Sequence, residues 1–167
     1  MPTKRKAPRR SPVLSHVDRT GRIRMVDVSG KPETVREAVA DGRVTMNAAA
    51  RRAIRDRAVK KGDPLQAARL SGIMAAKRTA DLIPLCHQVP LSYVDVEIVP
   101  TASGYEIVGR AGTVGRTGVE MEALVAVSAA ALTLYDMLKA IDRAITIGPI
   151  RLREKRGGRS GSYHRKP

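Results

Sequence analysis

Residues 91–99, Leu-Ser-Tyr-Val-Asp-Val-Glu-Ile-Val, alternate apolar and polar; the chain turns at Ser103-Gly104, and a second extended run follows over 105–114. Successive side chains on a strand point to opposite faces, so this pattern predicts an antiparallel hairpin with one buried face. The longest helix is expected immediately after it, over about 119–143, where Leu124, Val127, Ala131, Leu134, Leu138 and Ile141 recur at steps of three and four. That spacing makes one apolar stripe. A hairpin with one oily face, followed by a helix with one oily stripe, is satisfied when the helix lies across the sheet.

The remaining elements fit around that pair. From Arg36 to Met46, Ala38, Ala40, Val44 and Met46 share an alternating face, a strand with Gly42 as its weak point. Asn47 offers an N-cap for a helix running to about Val59, and Lys60-Lys61-Gly62 ends it. Asp63-Pro64 restarts a helix that reaches about Arg78, because Asp accepts from the free amides while Pro suits the first helical position. A β-branched stretch from Ile145 to Leu152 closes the order β-α-α-β-β-α-β. With the first two helices counted as one broken crossover, this is the split βαβ arrangement of a ferredoxin-like α+β sandwich, an antiparallel sheet with helices on one face.

A chain of 167 residues with 43% hydrophobic content makes one domain, and with no Phe and no Trp its core is built from Val, Ile, Leu, Met and Ala. The net charge of +15 points toward nucleic acid only if it is concentrated on a folded surface. Residues 1–24 hold eight Lys/Arg and one acid, and 151–167 hold seven and one, leaving 16 basic and 14 acidic residues in between, a balance of only +2. We therefore expect a flexible basic tail over 1–24, a catalytic domain over 25–156 and a flexible Gly-rich basic tail over 157–167. No nucleic-acid motif or interleaved aromatic accompanies the charge, so nucleic acid is not expected as a partner. No apolar run approaching 18 to 20 residues and no signal-peptide h-region is read, so neither a membrane nor an export route is expected. The single cysteine, Cys86, fits a cytoplasmic setting.

Four stretches carry chemistry. Lys31 and Arg36 follow the short run Met25-Val-Asp-Val-Ser29, compatible with anion contacts or with a solvated surface. Lys61 lies in a basic loop before a helix N-terminus, although without a P-loop pattern. Lys77 falls one turn after Ile73 and two after Leu70, an apparently apolar face where desolvation favours the neutral amine; equally, its stem could cover core with the ammonium outside. Nearby stand Leu85, Cys86 and His87. His16 and His164 lie in the expected tails and no second cysteine exists, which argues against a zinc site. The fourth stretch, Gly115 to Leu124, opens the long helix with Glu120, Met121 and Glu122, and that helix later carries Asp136 and Lys139. Two acids near a helix start, or an i, i+3 acid–lysine pair, are also ordinary helix features.

Taken together, the stretches MVDVS, KGD, ARLSGIMAAKRTADLIPLCH, TGVEMEAL, LYDMLKA and the closing Gly-Gly-Arg-Ser-Gly resemble, in order and spacing, the family of cyclic pyranopterin monophosphate synthases over residues 25–161. The resemblance implies a lyase of molybdenum cofactor biosynthesis that takes a cyclo-dihydro-GTP and releases pyrophosphate. It implies Lys61, Lys77, His87, Asp136 and Lys139 as catalytic residues. Leu85, Cys86, His87, Glu120, Met121, Glu122, Lys31 and Arg36 are then the substrate contacts. It further implies a homohexamer, a trimer of dimers with sites between subunits, and no resident metal or cofactor, with magnesium admitted only beside the phosphates. The residue chemistry agrees: a triphosphate needs several fixed cations, and rebuilding a purine-derived ring needs proton carriers, which suits lysines of lowered pKa beside His87 and Asp136. Arg116 stands where the family has Lys in the Gly-x-Thr-Gly turn, and suits a phosphate or structural role, since a guanidinium does not release its proton. Two other classes are a basic RNA-associated protein of the same fold and an inactive scaffold; the intact set of mapped residues argues against the second.

Overall fold

A computed structural model describes residues 20–166 of the chain. The expected tail over 1–24 therefore lies largely outside the described residues. The elements are β1 (Thr34–Thr45), α1 (Ala48–Arg55), α2 (Pro64–Ala76), α3 (Thr79–Leu82), β2 (Leu91–Thr101), β3 (Gly104–Gly115), α4 (Glu120–Leu138), β4 (Thr146–Arg156) and β5 (Tyr163–His164). All neighbours in the five-stranded sheet β2-β3-β1-β4-β5 are antiparallel. Its first four strands are the ferredoxin-like split βαβ sheet read from the sequence.

Alternation puts Ala38, Ala40 and Val44 of β1, Val96 and Ile98 of β2, and Ile107 and Ala111 of β3 into the core under the helices. α4 crosses this face and buries Ala123, Ala126, Val127, Ala130, Ala131, Leu134 and Leu138. Full burial of each Leu contributes about 1.5–3 kcal/mol relative to exposure. By length and composition alone α4 is apolar enough to cross a membrane, which the reading of the sequence had missed; here it is the central core helix. It stops at Leu138, earlier than expected, so Ile141 is exposed while Asp142 is buried and accepts from the Asn47 amide at 2.7 Å.

α2 packs on α4 through a face that hydrophobicity does not advertise. Its buried residues are Pro64, Ala68, Gly72 and Ala76, each one turn apart. A Cβ at Gly72 would lie 2.7 Å from the Ala126 carbonyl oxygen, so only glycine lets the backbones approach this closely. Leu70, by contrast, is 59% exposed. Of the two readings of Lys77 the outward one holds: Lys77 caps the C-terminus of α2 and is exposed.

α1 also ends early, at Arg55, because Arg57 takes the left-handed conformation (φ 54). The segment after β4, expected as a loose tail, carries β5, whose Tyr163 and His164 pair with Lys155 and Glu154.

Candidate active site

Two clusters of titratable side chains sit at opposite ends of α4. The first is a cleft of about 320 Å³ at its N-terminus, walled by Val26, Lys31, Cys86, His87, Thr117 and Glu122. Leu85, Glu120 and Met121 also line it. Its walls come from three segments: residues 26–31, the loop after α3, and the turn between β3 and α4. Thr113 Oγ1 donates to the Pro90 carbonyl at 2.6 Å, anchoring the end of the second segment to β3. His87 Nε2 lies 2.8 Å from the Val26 carbonyl oxygen, which ties the first segment to the second. A carbonyl only accepts, so Nε2 carries the hydrogen.

Glu122 is 4% exposed, and its burial pushes the carboxyl above the usual carboxylate range, with the neighbouring Glu120 adding to the rise. Cys86 is likewise raised, by burial first and then by the Glu122 charge, both of which disfavour the thiolate. Glu120 is held differently: Lys155 of β4 bridges to it at 3.2 Å and donates to Ser160 Oγ at 2.7 Å. Gly118 leaves the space this carboxylate occupies, since a Cβ there would meet Glu120 Oε2 at 1.8 Å. This contact of Lys155 with a carboxylate of the cleft is one the sequence did not disclose. The last strand was read as ending at Leu152, which left Lys155 outside it; the signal was Ser160, inside the quoted Gly-Gly-Arg-Ser-Gly.

The second cluster joins the 60–63 loop to the C-terminal end of α4. Lys61 Nζ donates to Asp136 Oδ2 and to the Asp136 carbonyl, both at 2.9 Å, while Lys139 Nζ lies 2.8 Å from Asp136 Oδ1. Each carboxylate oxygen holds one ammonium. The two lysines, Lys139 first, pull the Asp136 carboxyl down to about 2. Lys139 is raised in turn by its hydrogen bond to Asp136, the opposite of the lowered value the sequence suggested. His87 belongs to the other end of the helix and is not beside these lysines.

Two more sequence candidates lie apart from both clusters. Arg36 donates from Nε to the Gly115 carbonyl at 2.8 Å and from Nη2 to the Arg116 carbonyl at 3.1 Å, clasping the turn before α4. Arg116 itself faces Glu33 at 3.6 Å. Lys77 stands at the end of α2, which runs antiparallel to α4 and so brings it toward the Glu122 end. Among the described residues no three His, Cys, Asp or Glu side chains are grouped to hold a metal.

The comparisons with known proteins fall on the same segments. The MoaC family model matches residues 25–158, from the first wall of the cleft to the glycines after β4. A protein of Thermomicrobium roseum named cyclic pyranopterin monophosphate synthase is 56% identical over 154 residues, 91% of this chain and 93% of that one. One of the same name from Parvibaculum lavamentivorans is 55% identical over 155 residues, covering 92% and 97%. From Mycobacterium tuberculosis, cyclic pyranopterin monophosphate synthase 1 is 57% identical over 153 residues, covering 91% and 90%. Identity at this level over nearly whole lengths, with both clusters inside the matched span, places the chain: it belongs to the MoaC family.

Proposed function

We propose that this chain converts cyclo-dihydro-GTP into cyclic pyranopterin monophosphate and pyrophosphate, a lyase step of molybdenum cofactor biosynthesis. The observation that carries this reading is the end-to-end match to proteins named for that activity. A ribose hydroxyl of the substrate attacks the innermost phosphorus, forming one P–O bond while the P–O bond to the departing pyrophosphate breaks. Charge accumulates on the leaving oxygens, where fixed cations act most strongly.

Lys61 and Lys139 supply that charge. Asp136 holds both ammonium groups at exposed positions open to a phosphate chain. The raised Lys139 acts there as a cation and proton donor rather than as a base. The cleft at the other end takes the base: Glu120 and Glu122 accept from the N–H edge of the purine-derived ring, as carboxylates do for paired donors. His87 Nδ1 accepts a proton during ring rebuilding, while Leu85, Cys86 and Met121 bound the ring plane. Lys31 at the rim, Arg36 through its remaining Nη1, and Lys77 at the end of α2 are the further substrate contacts.

Glu122 and Asp136 are separated by about 21 Å along α4, so short side chains of one chain do not reach one nucleotide together. The two ends therefore meet across subunits, in a homohexamer built as a trimer of dimers. The sheet face away from the helices supports an assembly: Val35 and Val114, register partners, are 66% and 53% exposed there, with Tyr93 at 44%. We place the enzyme in the cytoplasm and assign it no resident metal, with magnesium accompanying the phosphates.

The test is to incubate purified protein with enzymatically made cyclo-dihydro-GTP and follow pyrophosphate together with the oxidised, fluorescent pterin. Both products are expected in equal amounts, and they are expected unchanged after transition metals are stripped and magnesium is returned. Folded protein that releases neither product overturns the function; a stoichiometric transition metal required for turnover overturns the metal assignment.

A further inference from the structure

A groove of about 1030 Å³ lies between α1, the 57–65 segment and the tip of the β2–β3 hairpin. None of His87, Glu122, Lys61, Asp136 and Lys139 lines it. Its apolar floor includes Ile54, Val59, Leu65 and Tyr105, and its rim carries Arg51, Arg52, Arg55 and Arg57.

These guanidiniums are poorly compensated. Arg51 Nε is buried and has no hydrogen-bond partner among the described residues, a state that folded proteins avoid because the lost water is not replaced. Arg51 and Arg55 are one helical turn apart, a spacing at which like charges repel. Burial pushes the Tyr105 hydroxyl up, and the nearby charges of Arg55 and Arg51 offset part of that rise. Two carboxylates are near the rim. Asp56 lies 3.4 Å from Arg55 in an exposed pair, and Asp63 is engaged with the Leu65 and Gln66 amides as the cap of α2. Arg57, in its left-handed conformation, projects from the same rim where glycine would be the unstrained choice.

An anion in the groove supplies the countercharge that this cluster lacks. A phosphate chain accepts bidentate bonds from guanidinium forks and screens Arg51 from Arg55. The apolar floor takes an organic portion of the ligand. We infer that this groove is a second ligand site, for a small organic di- or triphosphate, separate from the reaction centre.

The test uses ADP as probe, titrated calorimetrically into the full chain, with adenosine as the phosphate-free control. Arg51→Gln/Arg55→Gln is expected to weaken ADP binding at least tenfold while leaving turnover of cyclo-dihydro-GTP unchanged. Lys61→Met/Lys139→Met is expected to abolish turnover and leave that ADP site in place. If substitution at Arg51 unfolds the chain, Arg52→Gln/Arg57→Gly, at exposed positions, carries the same expectation of weakened ADP binding. The inference is overturned if folded arginine variants bind ADP as wild type does, if the lysine variant alone removes ADP binding, or if adenosine binds as tightly as ADP.

Discussion

The two ends of α4 hold carboxylates in opposite states. At the N-terminal end Glu122 is buried, bridged to no cation among the described residues, and shifted toward its neutral form. At the C-terminal end Asp136 is exposed, gripped by two lysines, and ionised down to about pH 2. Desolvation governs one and ion pairing the other. One helix thus presents a carboxyl suited to hydrogen bonding a neutral ring and a second suited to holding cations for phosphate. The division of labour we propose between base recognition and phosphate chemistry rests on that contrast.

The largest effect should come from the lysine end. In Lys61→Arg and Lys139→Arg the charge persists, but each lysine now occupies a single carboxylate oxygen of Asp136, and a planar guanidinium fork spans both and displaces its neighbour. Turnover should fall by about 10²- to 10⁴-fold, the loss typical of a missing general acid, in folded protein. Wild-type turnover in both variants would reduce these residues to bulk charge.

Glu122→Gln probes the other end with a smaller effect. Losing a charged acceptor for the ring should lower kcat/KM by about 10- to 100-fold, in line with the 1.5–3 kcal/mol of a hydrogen bond to a charged group. Stability should move the opposite way. A carboxyl whose pKa is raised on folding binds more protons in the folded state, so stability falls as pH rises from the unfolded value through the folded one. The glutamine variant should therefore melt higher than wild type at pH 8, with the difference vanishing below about pH 4, where both states of the glutamate are protonated. A lower melting temperature at pH 8 would mean that Glu122 has a cationic partner in the assembled protein.

The elements and the site were legible to different depths. The hairpin and α4 could be read because Val, Ile and Leu mark strand and helix periods strongly. Asp63-Pro64 could be read because capping chemistry is local, and its carboxylate does accept from the Leu65 and Gln66 amides. The buried face of α2 could not, since Ala68, Gly72 and Ala76 pack by being small while the louder Leu70 is exposed. α3 and β5 have four and two residues, too few for any period to declare itself. In the site, helix spacing put the two glutamates at one end of α4 and paired Asp136 with Lys139, but it was the resemblance to a family that implied a role for them. The grip of Lys61 on Asp136 and of Lys155 on Glu120 spans long stretches of chain, and only the fold reveals it.

The central claim, that the two ends of α4 work in one site supplied by two subunits, is tested most directly by complementation. Glu122→Ala and Asp136→Ala are each expected to be inactive alone. In a mixed isologous dimer one site collects both lesions and the other collects neither, so equal co-expression with random pairing should restore about a quarter of wild-type turnover. Mixed oligomers that demonstrably form yet remain as inactive as their parents would contradict the shared site.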